Sequence, residues 1–253
     1  MANRSPELIQ LSGDGVFATL QGEGISAGRP SVFVRTQNCN LHCGRDGIGW
    51  YCDAVYTWDA SHPGFSLGQR EVTPELLAIE VQQEWERVFS IEPLMGSLEP
   101  NIVLTGGEPL LQQRKLARLI PELAGWHVEI ETNGTIAVEQ AFSEAQINCS
   151  PKLESSGNTL RARKRLGVLQ SIADMTDHWF KFVVTSSEDI QEIEKLMDDI
   201  NGGDYSRVLL MAEGVETEEL TRRTEWLRVV ADNLGAGITE RNQIYWFGNK
   251  RRT

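Results

Sequence analysis

Three of the four cysteines in this 253-residue chain fall within fourteen positions, in the segment NCNLHCGRDGIGWYC. Cys39 and Cys43 are separated by three residues, and Cys52 follows after eight more. Thiolates bind zinc and iron–sulfur clusters, and a four-iron cluster held by only three thiolates keeps one iron free for a small molecule. Zinc stays an alternative because His42 or Cys149 could supply a fourth ligand. A chance grouping of buried thiols is a third alternative.

Composition limits the kinds of partner that the chain can bind. The net charge is −12 at pH 7, with 40% hydrophobic and 24% charged residues. An acidic chain is poorly suited to phosphate backbones or anionic membrane surfaces. No apolar run approaches the roughly 18 residues of a membrane span, and the first residues lack a signal-peptide pattern. We therefore expect a cytoplasmic protein that binds neither nucleic acid nor membrane, with its thiols kept reduced.

Short apolar segments alternate with helical segments, which predicts a parallel β-sheet with helices outside it. The predicted strands cover residues 31–36, 101–106, 127–132, 146–150, 179–185, 207–212 and 243–247. The predicted helices cover residues 73–89, 109–123, 187–200 and 216–234. Six or seven such units would make an open or partly closed α/β barrel. We expect one domain over residues 1–253.

Unusual residues follow directly after most of the predicted strands. In chain order, the segments are NCNLHC, TGGEP, ETNG, CSPK and MAEG. Ligands of α/β barrels and open α/β sheets bind at the carboxyl ends of the strands. We therefore expect these five loops to lie on one rim and to form one site.

The cysteine segment resembles the signature of the radical S-adenosylmethionine superfamily, which is C-x3-C-x-aromatic-C after the first barrel strand. Tyr51 is the aromatic residue before Cys52, but eight residues separate Cys43 from Cys52 where the superfamily usually has two. Glycine and aspartate in this stretch favour a looping excursion, so that the cysteines can still meet one cluster. Gly106 and Gly107 in TGGEP resemble the GGE motif that receives the amino group of S-adenosylmethionine.

The order of the remaining motifs is similar to that of the 7-carboxy-7-deazaguanine synthase family. The matching segments are FATLQGEGISAGRPSVFVRTQNCNLHC, CDAVYTW, TGGEPLLQ, ETNGT, NCSPKLESSG, WFKFVV and LMAEG, with a weaker match at QIYWFGNKRR, residues 243–252. The core of the resemblance covers residues 17 to about 215, and residues 216–253 form a C-terminal extension.

The resemblance implies a fold, cofactors and a reaction. The fold is a partial (β/α)6-type barrel, with a parallel sheet and helices outside. The cofactors are a 4Fe-4S cluster and S-adenosylmethionine. The reaction is that of a lyase, which converts 6-carboxy-5,6,7,8-tetrahydropterin to 7-carboxy-7-deazaguanine with loss of ammonia, in queuosine-type biosynthesis.

The same resemblance implies a role for individual residues. The cluster ligands are Cys39, Cys43 and Cys52. The residues expected to bind S-adenosylmethionine are Tyr51, Gly106, Gly107, Glu108, Ser150, Pro151, Lys152, Met211 and Glu213. The residues expected to bind the substrate are Leu20, Gln21, Gly22, Glu23, Arg35 and Thr105, with Arg35 holding the carboxylate.

One position departs from the family pattern. The family usually reads C-D-T after the last cluster cysteine, and the threonine hydroxyl binds a Mg2+ that holds the substrate carboxylate. This chain has Ala54 there, which offers no oxygen. Either Mg2+ is held through water, Thr57 or Asp53, or the enzyme depends less on this metal. We expect a smaller stimulation by Mg2+ than in relatives.

The resemblance also implies a homodimer, a small-molecule pterin substrate and an electron donor such as flavodoxin. Two rival functions stay open from the sequence. A radical S-adenosylmethionine activating enzyme acting on a partner protein would share the cysteines and GGE, but it has no need for LQGEG or SPK. A zinc-binding scaffold without chemistry would be colourless, whereas an iron–sulfur enzyme is brown.

Overall fold

Nine strands form one sheet in this computed structural model, which describes residues 8–89, 99–248 and 250. The strands in chain order are β1 (Ile9–Leu20), β2 (Pro30–Thr36), β3 (Arg70–Val72), β4 (Asn101–Gly106), β5 (His127–Thr132), β6 (Gln146–Cys149), β7 (His178–Val184), β8 (Val208–Ala212) and β9 (Gly237–Ile238). The order across the sheet is β3-β1-β2-β4-β5-β6-β7-β8-β9. Residues 249, 251 and 252 of the tail match lie outside the described residues.

The six strands β2 and β4 to β8 are neighbours and run parallel, and β9 adds a further parallel strand beside β8. Strand β1 pairs antiparallel with both β2 and β3. Within the described residues β3 and β9 do not pair with each other, so the sheet is open. The predicted partial barrel with a parallel sheet is confirmed.

The helices lie between the strands in the chain. They are α1 (Pro74–Phe89), α2 (Gln113–Leu116), α3 (Leu160–Arg163), α4 (Leu166–Ala173), α5 (Ser187–Asn201), α6 (Thr217–Leu234) and α7 (Asn242–Phe247). Helix α1 begins as predicted, because the Thr73 hydroxyl accepts a hydrogen bond from the Leu76 amide at 3.3 Å and Pro74 occupies the first turn. Across the described ranges, none of the helices combines the length and the apolar character that crossing a membrane requires.

The parallel strands have two different faces. Apolar side chains pack on one face of the sheet, and a polar cavity lies on the other. Leu104, Ile130 and Phe182 belong to one core cluster and are almost fully buried. The strand residues next to them in sequence point the opposite way. Arg35 of β2 therefore lies beside Thr105 of β4 in the sheet register and faces the cavity. The alternation separates the core from the site.

Two of the predicted elements were wrong. Residues 243–247 form most of helix α7 rather than a strand, because a short apolar run does not by its period distinguish strand from helix. The helix predicted at 109–123 is broken into a 3-10 turn, the four-residue α2 and a second 3-10 turn at Ile120–Leu123. Pro121 in that last turn has no N–H to continue an α-helix.

The predicted elements also lacked the long first strand β1. Its alternation of apolar and polar residues is interrupted by Gly13 and Gly15, which have φ angles of 46° and 56°. The pairing with β2 shifts register between Leu11 and Val16 at the same place. Glycine tolerates this left-handed backbone, so the strand bulges there and continues.

Adjacent leucines on α1 give a direct test of which helix face is buried. Leu77 is 0% exposed and Leu76 is 55% exposed. We expect Leu77→Ala to lower the free energy of unfolding by about 3 kcal/mol, because it leaves a cavity in the core. Leu76→Ala should change it by less than about 0.5 kcal/mol, as surface substitutions usually do. Chemical denaturation measures both, and equal losses would contradict the assigned face.

Candidate active site

A cavity opens at the carboxyl ends of the parallel strands, and almost all of the predicted site residues line it. Of the set predicted from the sequence, only Glu108 and Pro151 are not on its wall. The predicted residues that line it are Leu20, Gln21, Gly22, Glu23, Arg35, Cys39, Cys43, Tyr51, Cys52, Thr105, Gly106, Gly107, Ser150, Lys152, Met211 and Glu213. The loops after β2, β4, β5, β6 and β8 thus converge on one space.

The three clustered cysteines lie together on the wall of this cavity. Burial raises the pKa of Cys39 to about 11 and that of Cys52 to about 12, and the nearby Cys43 adds to both shifts. The Asn158 side-chain amide donates to the Cys43 sulfur at 3.2 Å, and the Leu41 amide donates to the Cys39 sulfur at 3.5 Å. Buried thiols of raised pKa are poor nucleophiles, but a bound metal cluster would hold them as thiolates.

The eight residues between Cys43 and Cys52 fold as the predicted looping excursion. The Gly44 amide donates to the Ser156 carbonyl and the Trp50 amide donates to the Ser155 carbonyl, both at 3.1 Å. Gly49 lies against the same turn so closely that a Cβ atom there would overlap its backbone. The excursion is therefore packed against the loop after β6, and this packing returns the chain to the cavity at Cys52.

The glycine pair after β4 is held directly against the cysteine loop. The Gly107 amide donates to the Thr36 carbonyl at 3.0 Å, and a Cβ atom at Gly107 would overlap the carbonyl oxygen of Asn38. Gly106 has a φ angle of 112°, which residues with a side chain rarely adopt. Glycine is thus required here for the approach of two backbones, and it also leaves the backbone of this loop exposed to the cavity.

Glu108 connects two loops from behind the cavity wall. Its carboxylate accepts hydrogen bonds from the Leu110 amide, the Thr132 hydroxyl and the Asn133 amide at 3.0, 2.9 and 2.7 Å. Burial raises the pKa of Glu108, although these bonds act in the opposite direction. The structure therefore places Glu108 where it orients the GGE and ETNG loops.

A buried lysine joins two carboxylates at the cavity wall. Lys181 of β7 donates to Glu23 at 2.7 Å and to Glu131 at 3.2 Å. Burial alone would raise the pKa of Glu23, but the charges of Lys181 and Arg241 outweigh it and hold that pKa at about 2. Burial raises the pKa of Glu131, and the Lys181 charge offsets only part of this shift. The two carboxylates in turn raise the pKa of Lys181 against the effect of burial.

The sequence analysis did not identify Lys181 or Glu131 as site residues. A signal existed for Lys181, because a lysine in the middle of the apolar strand WFKFVV is costly to bury without an anionic partner. Glu131 lies two positions from Glu129 on β5, so the alternation of a strand places both carboxylates on the same face.

The end of the chain returns to the cavity through the segment around α7, which sequence analysis had treated as a strand. The Asn242 amide donates to the Gly22 carbonyl at 3.0 Å, and the Gln243 side chain donates to Glu23 at 2.7 Å. Arg241 donates to Asp53 at 2.6 Å. A Cβ atom at Gly22 would overlap the Gln243 side chain as it is placed here, so the two residues are in close contact.

The donor set around the cavity fits a cluster better than a single metal ion. Three thiols share the wall and have amide donors directed at two of their sulfurs. In the part of the chain that the structure describes, no three His, Cys, Asp or Glu side chains lie close enough together to hold one ion. Zinc bound at about 2.3 Å from sulfur would need such convergence.

The residues near Ala54 do not fit a Mg2+ site. Ala54 has no ligand oxygen, and the buried Thr57 hydroxyl donates to the Ala54 carbonyl at 2.7 Å. The Asp53 carboxylate is already paired with the Arg241 guanidinium. The usual hydroxyl ligand is thus absent at position 54, and the guanidinium of Arg241 lies beside Asp53.

Similar proteins identify the family. No family model matches the chain. A 7-carboxy-7-deazaguanine synthase from Halobacterium salinarum is 35% identical over 252 residues, and the match covers 90% of this chain and 87% of that protein. One from Rhodopirellula baltica is 32% identical, with 94% of this chain and 86% of that protein covered. This chain belongs to the 7-carboxy-7-deazaguanine synthase family.

The 7-carboxy-7-deazaguanine synthase resemblance inferred from the motifs is therefore confirmed. The fold agrees with a solved structure, the crystal structure of QueE from Escherichia coli. That structure superposes with a TM-score of 0.65 at 23% identity, covering 91% of this chain and 93% of the other. Most of the sequence differs at this identity, yet the arrangement of strands is shared.

Removing the buried lysine should destabilise the protein in a pH-dependent way. We expect Lys181→Met to lower the free energy of unfolding at pH 7 by about 3–5 kcal/mol, because buried Glu131 loses its cation and Glu23 keeps only Arg241. Burial then raises the pKa of Glu131 further in the folded state, so protonation between pH 7 and about 5 recovers part of the loss.

The wild-type protein should show a smaller recovery, because Lys181 offsets part of the rise in the pKa of Glu131, and Glu23, with a pKa of about 2, stays ionised across that interval. Its own contribution is lost only as the pH falls from the ordinary value of 4.5 towards about 2. Lys164→Met is the matched control, since Lys164 forms a partly exposed pair with Asp199 at 2.9 Å and should cost no more than about 1 kcal/mol. Chemical denaturation at the two pH values gives both free energies, and a loss in Lys181→Met that does not change with pH would contradict the assignment.

Proposed function

We propose that this chain is a radical S-adenosylmethionine lyase that converts 6-carboxy-5,6,7,8-tetrahydropterin to 7-carboxy-7-deazaguanine with loss of ammonia. The observation that carries the proposal is that three cysteines, the Gly106–Gly107 loop and the LQGEG segment all line one cavity. Family membership and this shared cavity together support the reaction. The product belongs to 7-deazapurine biosynthesis of the queuosine type.

The cofactor end of the cavity is formed by the cysteines and the loops after β4 and β6. We assign Cys39, Cys43 and Cys52 as the ligands of a 4Fe-4S cluster, which with S-adenosylmethionine supplies the radical that starts the rearrangement. The exposed backbone at Gly106 and Gly107 offers acceptors to the ammonium of the cofactor.

Further contacts to S-adenosylmethionine come from three other segments. Lys152 donates to the carbonyl and the hydroxyl of Ser150 at 2.9 and 2.8 Å, so that both side chains are oriented at the cavity wall. Tyr51 is 66% exposed beside Cys52, which leaves its ring free to lie against the adenine. Met211 and Glu213 line the cavity at the end of β8.

The substrate end offers an anion site and an acceptor site. The Arg35 guanidinium lies over the Phe17 ring at 5.3 Å, and its donors make no hydrogen bond or ion pair within residues 8–89 and 99–248. A planar fork of free donors suits a carboxylate. Glu23 stays ionised beside Lys181 and can accept hydrogen bonds from the amine and amide N–H groups of a pterin.

Other predicted contacts support the same placement of the pterin. Leu20, Gln21 and Gly22 precede Glu23 on the cavity wall, and Thr105 lies beside Arg35 in the sheet. The flat polar ring of the substrate would thus be bounded by strand residues below and by the 20–23 segment at its edge.

The rival functions explain less of the site. An activating enzyme that acts on a protein would need the cysteines and the glycine pair, but it gives no reason for the charged network around Glu23. A zinc scaffold would need ligands that converge on one ion. In the proposed lyase, a small polar substrate accounts for the network, and a four-iron cluster accounts for the separated thiols.

We also propose three further properties that the resemblance implies. These are reduction by an electron donor such as flavodoxin, assembly as a homodimer, and a single radical S-adenosylmethionine domain that includes the C-terminal extension. In support of the last, residues after 216 contribute α6, β9 and α7 to the same sheet and cavity.

The reaction is tested with anaerobically purified protein after reconstitution with iron and sulfide. We expect a brown protein that, with dithionite, S-adenosylmethionine and the carboxytetrahydropterin, forms 7-carboxy-7-deazaguanine and an equimolar amount of ammonia. Cofactor cleavage without conversion of the pterin would favour an activating enzyme, and a colourless protein with bound zinc would favour the scaffold.

The fourth cysteine supplies a matched control for the cluster ligands. We expect Cys39→Ala, Cys43→Ala and Cys52→Ala each to lose the brown colour and the activity, with iron falling well below about four atoms per chain. Cys149 is fully buried and does not line the cavity, so Cys149→Ala should keep both iron and activity. Iron and sulfide assays check this, and full iron in any of the first three variants would contradict the assigned ligand.

A further inference from the structure

Arg241 is a cation that the protein itself places between two acidic side chains of the cavity. One terminal nitrogen donates to Asp53 at 2.6 Å, and Nε lies 3.4 Å from a Glu23 oxygen. The other terminal nitrogen donates to the Gly214 carbonyl at 2.8 Å. The guanidinium is therefore anchored on three sides, and its side chain is only 11% exposed.

The same side chain keeps hydrogen-bonding capacity on the cavity wall. A guanidinium has five N–H donors, and the bonds to Asp53 and Gly214 use two of them. Nε faces Glu23 at 3.4 Å, which leaves two N–H groups on the terminal nitrogens of a side chain that lines the cavity. A ligand that supplies an anionic acceptor would satisfy these two N–H groups.

No divalent cation fits at this position in the same arrangement. The acidic side chains that act on Arg241 are Asp53 and Glu23, which face it directly, and Glu213, which is paired with Arg223. The Ala54 side chain offers no oxygen, and Thr57 is fully buried with its hydroxyl donating to the Ala54 carbonyl. A Mg2+ ion would have to displace an anchored guanidinium of the same sign, which Coulomb repulsion opposes.

We propose that Arg241 takes over the role of Mg2+ in this chain: its guanidinium binds the carboxylate of the pterin substrate from the Asp53 side, and turnover needs no divalent cation. The inference rests on the proposed function, because it assigns a contact to that substrate. Asp53 acts as a positioning residue that holds the guanidinium in place.

Binding of two oxidised pterins to the reconstituted enzyme with S-adenosylmethionine tests the contact without turnover. 6-Carboxypterin has the carboxylate, and 6-methylpterin has the same ring without it. We expect Arg241→Gln to weaken the binding of 6-carboxypterin at least about tenfold and that of 6-methylpterin less than about twofold. The reason is that only 6-carboxypterin loses an ion pair. Pterin fluorescence gives both dissociation constants.

Arg118→Gln is the matched control, because Arg118 pairs with Glu75 on the surface, at 2.9 Å and away from the cavity wall. This variant should leave the dissociation constants of both pterins unchanged. Equal weakening of the two pterins by Arg241→Gln, or no weakening of either, would overturn the carboxylate contact.

Turnover with and without a chelator tests the replacement of the metal. We expect wild-type kcat/KM to change less than about twofold when EDTA replaces Mg2+, and Ala54→Thr alone to gain nothing from Mg2+ while Arg241 is present. The double variant Ala54→Thr/Arg241→Gln presents a hydroxyl and the released Asp53 carboxylate, so Mg2+ should stimulate it at least about fivefold.

These results separate the inference from the function on which it rests. A wild-type enzyme that makes the product but loses more than about tenfold of its activity in EDTA would overturn the role of Arg241 and leave the reaction intact. A fully reconstituted enzyme that makes no product under either condition would overturn the proposed function. In that case, the difference in binding between 6-carboxypterin and 6-methylpterin would still show whether Arg241 binds the carboxylate.

Discussion

The cavity depends on the compensation of charges that the fold has buried. Lys181 of β7 contacts Glu23 from the segment after β1 and Glu131 from β5, so one ammonium connects parts of the chain that are far apart in sequence. Without that cation Glu131 would be buried unpaired and Glu23 would keep only Arg241, which is strongly unfavourable. With it, Glu23 stays ionised and in turn positions Gln243 and Arg241 from the end of the chain.

A second constraint is the close approach of loops, which requires glycine at several positions. Gly107 lies against the cysteine loop and Gly49 lies against the turn after β6, and a Cβ atom at either place would overlap backbone atoms. These contacts bring Cys39 and Cys43 to the same wall as Cys52 despite the long excursion between them. The cysteine spacing departs from the usual pattern, yet the packing of loops compensates for the departure.

Local patterns predicted the central strands well, because β4 contains an apolar run, β5 alternates apolar and polar residues, and loop residues bound both. These patterns failed where the backbone departs from regular geometry, or where tertiary contacts decide between strand and helix. Strand β1 was missed because Gly13 and Gly15 interrupt its alternation. Residues 243–247 read as a strand, but they form a short helix whose residue Ile244 is buried against the core.

The sequence by itself determined the chemistry of this protein: three thiols in one segment, a glycine pair after a buried strand, and motifs in an order that indicates the family. Only the tertiary structure decided which charges meet. Arg241 and Asp53 are 188 positions apart, and Lys181 and Glu23 are 158 apart. The physical reason is that a local pattern records the preferences of neighbouring residues, whereas an ion pair across the sheet exists only after the strands have assembled in their order and register.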